Sequence, residues 1–239
     1  MTGVTPRPER GQVRASASSY GHSRDGVPLM VYGPRAAAGR RSLWLAAIHG
    51  DELDTIAVLS AAVRLVPPGH LQHPVILCAN PDGALRGTRG NAEGVDLNRN
   101  FRTSDWRPGA TYYRWGPTGP QDVALSTGNE PASEPEVRAL VALVEELDAE
   151  PLVVMHSPLG LIDDPAESEL ARELAHATGM PLAGVDYATP GSIGTWGQET
   201  GRRVITYELP DADTHSLIRD HSYVIAERLR RWYRNDGVA

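Results

Sequence analysis

The amino-acid sequence predicts an α/β fold, with a mostly parallel sheet covered by helices on both faces. Short apolar runs alternate with amphipathic helical patterns along the chain. At 239 residues and 41% hydrophobic, the chain is the size of one large domain and carries enough core to fold without covalent staples. No internal repeat, low-complexity tract or interdomain linker divides it.

The segment 1–19, rich in Arg, Pro, Gly and Ser, is expected to be a flexible N-terminal segment, and 20–239 to be one folded domain. Ser42 to Ile48 reads as a buried strand, and Leu53 to Leu65 as a helix with apolar residues at 53, 56, 59, 63 and 66. Val75 to Ala79 is the next strand, ended by the turn chemistry of Asn80-Pro81-Asp82-Gly83. The stretch from Gly83 to Asn129 has no sustained period and reads as a long loop region, and loops of that length inside a domain usually carry function. Ser133-Glu134-Pro135-Glu136 matches a capping box for a helix continuing over Val137 to Leu147. A strand follows at Leu152 to Met155, then a helix from Asp164-Pro165 to Gly179, a strand at Arg203 to Tyr207, and a last helix from Thr214 to Tyr233 with Ile218, Ile225, Leu229 and Trp232 on one side.

Composition narrows the function. The net charge of -7 disfavours a nucleic-acid partner. The Arg86, Arg89, Arg99 and Arg102 cluster reads either as a local anion site or as surface arginines. The chain shows neither the apolar stretch of a secretory signal nor a run of membrane-spanning length. Cys78, the one cysteine, lies in an apolar run and reads as a small buried hydrophobe. These features predict a cytoplasmic location.

Four separated segments bear chemistry: His49-Gly50-Asp51-Glu52, the run Gly94 to Phe101, His156 and Glu208. His49, His156 and Glu208 each follow a predicted strand, where sites of open parallel sheets collect. Two histidines and a glutamate make three protein ligands of a catalytic zinc, with a fourth position left for water. His-x-x-Glu or a lone His is a weak signal by itself, and the joint placement gives it weight. Glu208 is then available as a base.

These residues carry a resemblance. His49-Gly-Asp-Glu52, Asn80-Pro81-Asp82-Gly83, Arg89, Gly94-Val-Asp-Leu-Asn98-Arg99-Asn-Phe101, His156 and Glu208 resemble the pattern of the zinc carboxypeptidases of the carboxypeptidase A superfamily. Ser133-Glu-Pro-Glu136, Glu167-Ser-Glu-Leu170 and Thr189-Pro-Gly-Ser-Ile193 are similar to its murein amidase branch. The similarity runs from about Tyr20 to Trp232. It implies a single-domain zinc-carboxypeptidase-like fold with a mixed sheet, and one zinc ion held by His49, Glu52 and His156. It implies Glu208 as general base, and Arg89 facing the developing oxyanion, with Arg86 as rival. It also implies Asn98 and Arg99 on the substrate's terminal carboxylate, Tyr187 as the mobile tyrosine closing over substrate, and Ile193 lining the pocket for the leaving amino acid. Anchored on Gly191-Ser192-Ile193, Tyr187 sits one position late, so a core or rim role stays open for it. The Ser157-Pro158 bond is expected to be cis, with trans as the alternative.

The resemblance further implies a murein peptide as partner: hydrolysis of the γ-D-glutamyl-meso-diaminopimelate amide of L-Ala-γ-D-Glu-meso-diaminopimelate, in cell-wall peptide recycling. Asp163, Asp164 and Asp186 are candidates for the distal ammonium of diaminopimelate, and Arg102 or Arg114 for its carboxylate; Asp164 can instead cap a helix at Pro165. Two other readings remain, a zinc deacylase of N-acyl amino acids and a protein that binds murein peptides without cleaving them. The oligomeric state is not readable from sequence.

Overall fold

The computed structural model describes residues 11–35, 41–115, 121–185 and 187–231; of residues 114, 115, 121 and 122 it describes the backbone alone. The sheet runs β1 (Ala17–His22), β2 (Pro28–Tyr32), β4 (Val75–Ile76), β3 (Leu43–Leu45), β7 (Leu152–His156), β9 (Val204–Pro210), β8 (Leu159–Asp163). The four strands β4, β3, β7 and β9 are parallel to one another, while β1 pairs antiparallel with β2, β2 with β4, and β8 with β9. The sheet is therefore mixed and mostly parallel, as expected.

Alternate residues of the central strands feed two separate cores. From β7, Val153 and Met155 pack with α1 (Leu53–Leu65), α4 (Glu169–Thr178) and α6 (Thr214–Arg230). Leu152 and Val154 face the other way, against α3 (Pro135–Leu147) and α5 (Ile193–Thr200). Burial on both faces is why β7 is an unbroken apolar run, Leu-Val-Val-Met, before His156.

Several elements differ from the sequence reading. Regular pairing of the first central strand stops at Leu45, because Ala47 takes a φ of 51° and turns the chain toward His49. The strand after it is only Val75–Ile76. Helix α1 has its predicted bounds and a shifted face: Leu59, Val63 and Val66 are buried as expected, together with Thr55, Val58 and Ala62, whereas Leu53 is 48% exposed. Thr55 is inside because its hydroxyl donates to the Glu52 carbonyl at 2.6 Å and accepts from the Ala47 N–H at 3.1 Å. Asn80 to Gly83 is a helix start instead of a turn: the Asn80 side chain accepts from Gly83 N–H and Pro81 opens α2 (Pro81–Arg86).

The long loop region holds a 3₁₀ turn (Leu97–Arg99) and a hairpin, β5 (Ala110–Trp115) with β6 (Gln121–Ser126). The capping box at Ser133 does not form. Glu134 is the cap residue of α3, and both Glu134 and Glu136 turn inward to receive the Asn91 amide at 2.7 and 3.3 Å. Asp164-Pro165 makes a turn, and α4 begins later, at Glu169, with Ser168 as its cap. The last helix ends at Arg230; Trp232 and Tyr233 lie outside the described residues. Strands β1, β2 and β8 and helix α5 had no counterpart in the sequence reading. Residues 17–19 of the N-terminal segment are already the first part of β1, paired to Tyr32, Val31 and Met30, and residues 1–10 lie outside the described residues. No helix among the described residues is long and apolar enough to cross a membrane.

Candidate active site

The parallel strands β3, β7 and β9 end on one side of the sheet, and the chemistry-bearing residues gather there. His156 closes β7 and is in register with Glu208 of β9, so two neighbouring strands set these side chains abreast. His49 and Glu52 arrive on the loop between β3 and α1. Gly50 fits where no side chain can: a Cβ there would lie 2.3 Å from the Gly83 carbonyl carbon.

The three residues converge. One donor atom from each of His49, Glu52 and His156 lies within 4.8 Å of the others, and all three residues are buried. The Nδ1 atoms of the two histidines are 3.1 Å apart; His49 Nδ1 is 2.7 Å from one Glu52 oxygen and His156 Nδ1 is 2.9 Å from the other. Burial alone would raise the Glu52 carboxyl pKa, but the two imidazoles outweigh it and hold the group below the usual carboxylate range. Two imidazole nitrogens and an ionised oxygen facing one point form a donor set that fits zinc. Behind His49, Asp96 Oδ1 sits 3.3 Å from Nε2, the carboxylate-behind-histidine arrangement that fixes which ring nitrogen is turned inward. Burial opposes the Asp96 charge, yet His49 and Arg89 hold its pKa low.

Glu208 is 7% exposed and lines the same cleft. Burial pushes its pKa above the ordinary glutamate value, with the neighbouring His156 opposing; its Oε2 receives a long hydrogen bond, 3.4 Å, from Leu159 N–H. Arg89 reaches in from the other side, donating to Glu52 at 3.1 Å, with its Nε 3.5 Å from Asp96. Arg86, its rival, points elsewhere: it pairs with Asp25 and donates to the Ala92 carbonyl. Asn98 is held through its Oδ1, which accepts from Ile193 N–H at 2.9 Å, while its Nδ2 lies 3.5 Å from His156 Nε2. Arg99 lines the cleft and is steadied by the Asn98 carbonyl at 2.7 Å.

Tyr187 and Ile193 also line this cleft, whose volume is about 1190 Å³. Tyr187 stands 54% exposed at its rim, and Ile193 is buried at the start of α5. Asp164 borders the cleft too, but its two oxygens receive Ala166 and Ser168 N–H at 3.0 and 2.9 Å, which closes the turn before α4. Arg102 donates to the Pro131 carbonyl, away from the cleft lining. Asp186 and the Arg114 side chain lie outside the described residues. The Ser157–Pro158 peptide is cis.

Sequence reasoning gave no role to two residues here, Asp96 and Tyr113. Tyr113, on the β5–β6 hairpin, lies under the Arg89 guanidinium, 4.8 Å from ring centre to Cζ, and its hydroxyl donates to Asp51 at 3.0 Å. Asp96 sits inside the recognised Gly94 to Phe101 run, so motif position pointed at it. Tyr113 left no signal, because its partner Arg89 is remote in sequence.

The zinc carboxypeptidase family profile matches residues 70–162. Murein peptide amidase A of Escherichia coli (strain K12) is 41% identical over 240 residues, covering 100% of this chain and 99% of that protein. The chain belongs to the murein peptide amidase A group of the zinc carboxypeptidase family. The counterpart from Vibrio campbellii (strain ATCC BAA-1116) is 44% identical over 91% of this chain and 89% of its own. The crystal structure of murein-tripeptide amidase from Escherichia coli O157 superposes with a TM-score of 0.91 at 41% identity, covering 99% of this chain and 100% of that one. The fold is accordingly that of a zinc carboxypeptidase, and the protein is a zinc-dependent hydrolase.

Proposed function

We propose that this protein is a metallocarboxypeptidase that hydrolyses the γ-D-glutamyl-meso-diaminopimelate amide of L-Ala-γ-D-Glu-meso-diaminopimelate, holding one zinc ion on His49, Glu52 and His156. The observation carrying this reading is the convergence of those three donors within 4.8 Å, in a cleft that Glu208, Arg89, Asn98 and Arg99 share. The names of the Escherichia coli and Vibrio relatives, murein peptide amidase A, support the substrate. When bound, zinc supplies a Lewis acid and brings the pKa of water toward about 7.

The protein's own residues do the rest. Glu208, desolvated and so more basic than a free carboxylate, takes a proton from the attacking water and passes it to the departing amine. Arg89, held by Glu52 and Asp96 and backed by Tyr113, faces the oxygen on which negative charge develops; one such preorganised donor is typically worth about 3 to 4 kcal/mol of barrier. Asn98 and Arg99 receive the free carboxylate of the leaving residue, which restricts cleavage to the chain end. Tyr187, exposed at the rim, closes over the substrate, and Ile193 lines the leaving-group pocket. Asp164 shapes the wall of that pocket from its turn. We assign the catalytic domain to the chain from β1 onward, and a cytoplasmic location, which the lone Cys78 fits.

Mass spectrometry of the tripeptide incubated with zinc-loaded protein, chelated protein and Glu208→Gln tests the reading. Free diaminopimelate released by zinc-loaded wild type alone is the expected result. Release by the Gln variant at the wild-type rate would remove Glu208 as base, and no release by any sample would remove the substrate.

A further inference from the structure

Beyond the metal, base and carboxylate-binding residues, the leaving-group side of the cleft holds a carboxylate that the reaction does not use. Strand β9 presents Val204, Thr206 and Glu208 to the cleft, while Ile205, Tyr207 and Leu209 point into the core. On the neighbouring antiparallel strand β8, Leu161 lies opposite Glu208 and Asp163 opposite Thr206, with Ile162 in the core between them. Asp163 therefore shares the cleft face with Glu208, one strand over and two residues deeper. Strand spacing places their backbones about 8 Å apart.

Asp163 differs from its neighbour Asp164 in what holds it. Both oxygens of Asp164 are committed to the turn before α4. Asp163 Oδ2 receives one long hydrogen bond, 3.4 Å from Val185 N–H, and among the described residues Asp163 pairs with no cation. Its Oδ1 faces Gly184, where a Cβ would stand 3.7 Å away, so this wall of the pocket carries no side chain over the carboxylate. Burial, with Asp164 alongside, raises the Asp163 pKa, as expected for a carboxylate that water solvates incompletely and an incoming cation would relieve.

We propose that Asp163 is the specificity-determining residue for an ammonium group at the distal end of the leaving amino acid, and that Gly184 keeps it accessible. This rests on the peptidase reading above. Diaminopimelate carries such a group, whereas 2-aminopimelate has the same chain and distal carboxylate without it.

The test compares kcat/KM for L-Ala-γ-D-Glu peptides ending in meso-diaminopimelate or in 2-aminopimelate. Wild type should prefer the diaminopimelate peptide by about tenfold or more, the scale of a hydrogen bond to a charged group. Asp163→Asn should bring the ratio close to one, chiefly through KM of the diaminopimelate peptide. Gly184→Leu, which leaves the carboxylate in place but covers it, should lower the same ratio. Because the measure is a ratio within one protein sample, partial misfolding cancels. An Asp163→Asn variant that keeps the wild-type ratio overturns the proposal, as does a wild type that cleaves both peptides equally well. A wild type that cleaves neither refutes the peptidase reading itself, and this inference falls with it.

Discussion

Gly50 offers a demanding test of how the ligand loop is held. It lies between His49 and Asp51, its N–H donates to the Arg89 carbonyl at 3.0 Å, and its α-carbon packs on the first turns of α2. In Gly50→Ala the added methyl would meet the Gly83 carbonyl carbon at 2.3 Å and the Ala84 nitrogen at 2.5 Å, both backbone atoms that no rotamer change can clear. Carbon atoms rest at about 3.5 to 4.0 Å, so the loop or α2 must retreat by roughly 1 Å. Overpacking of this kind costs about 1 to 3 kcal/mol, which in a chain of this size lowers Tm by about 2 to 12 °C. The loop carries His49 and is bonded to the backbone of Arg89, and a misplacement of catalytic groups by about 1 Å costs on the order of 100-fold in rate. The assays are thermal unfolding, competition for zinc against a chelator, and kcat/KM on the tripeptide. Weaker zinc binding together with a rate loss of that order is the expected pair. A variant with a lowered Tm but wild-type zinc affinity and kcat/KM would mean that α2 gives way instead of the ligand loop, and would refute the argument.

Other consequences can be checked singly. Asp96→Asn removes the charge behind His49 and should weaken zinc affinity by about 10- to 100-fold, measured by chelator competition. Tyr113→Phe retains the ring under Arg89 and loses only the bond to Asp51, whereas Tyr113→Leu loses both; the loss of kcat should therefore be larger for Leu, and equal losses would assign the effect to Asp51. His221, packed by Tyr207 with its Nδ1 2.8 Å from the phenol oxygen, has its pKa lowered by burial, with Asp220 partly opposing. In the unfolded chain it protonates near pH 6.5 while the folded one does not, so stability is complete above that pH and declines as pH falls below it, until the folded pKa is reached; the slope is at most about 1.4 kcal/mol per pH unit. Denaturant melts of metal-free wild type and His221→Asn at pH 5 and 7.5 should show a smaller acid loss in the variant.

Much of the site was legible because its residues follow apolar strands in short motifs: His49 and Glu52 share one loop, and His156 and Glu208 each lie at or beyond the last residue of a recognisable run. The central strands were legible for the same reason, since burial on both faces leaves uninterrupted apolar stretches. What escaped lacks that signature. Strand β1 is Ala-Ser-Ser-Tyr-Gly-His on the sheet edge, with none of its residues buried, so no apolar run marks it. Helix α5 contains two glycines in eight residues, and local propensity argued against it; packing of Ile193 and Trp196 into the core overrides that preference. The first turn of α1 was misjudged because Leu53 was counted as core and Thr55 was not, although the threonine hydroxyl has two backbone partners that make its burial inexpensive. Ser133 looked like a helix cap, but Glu134 and Glu136 have a more distant obligation, the Asn91 amide, that no local pattern reveals.

The register of His156 with Glu208 has a consequence for biosynthesis. His49, Glu52 and His156, the candidate metal donors, all precede Glu208 in the chain, and the strand that brings Glu208 pairs directly onto β7. During synthesis these donor residues all emerge before Glu208, which can take its place beside them only once β9 pairs with β7.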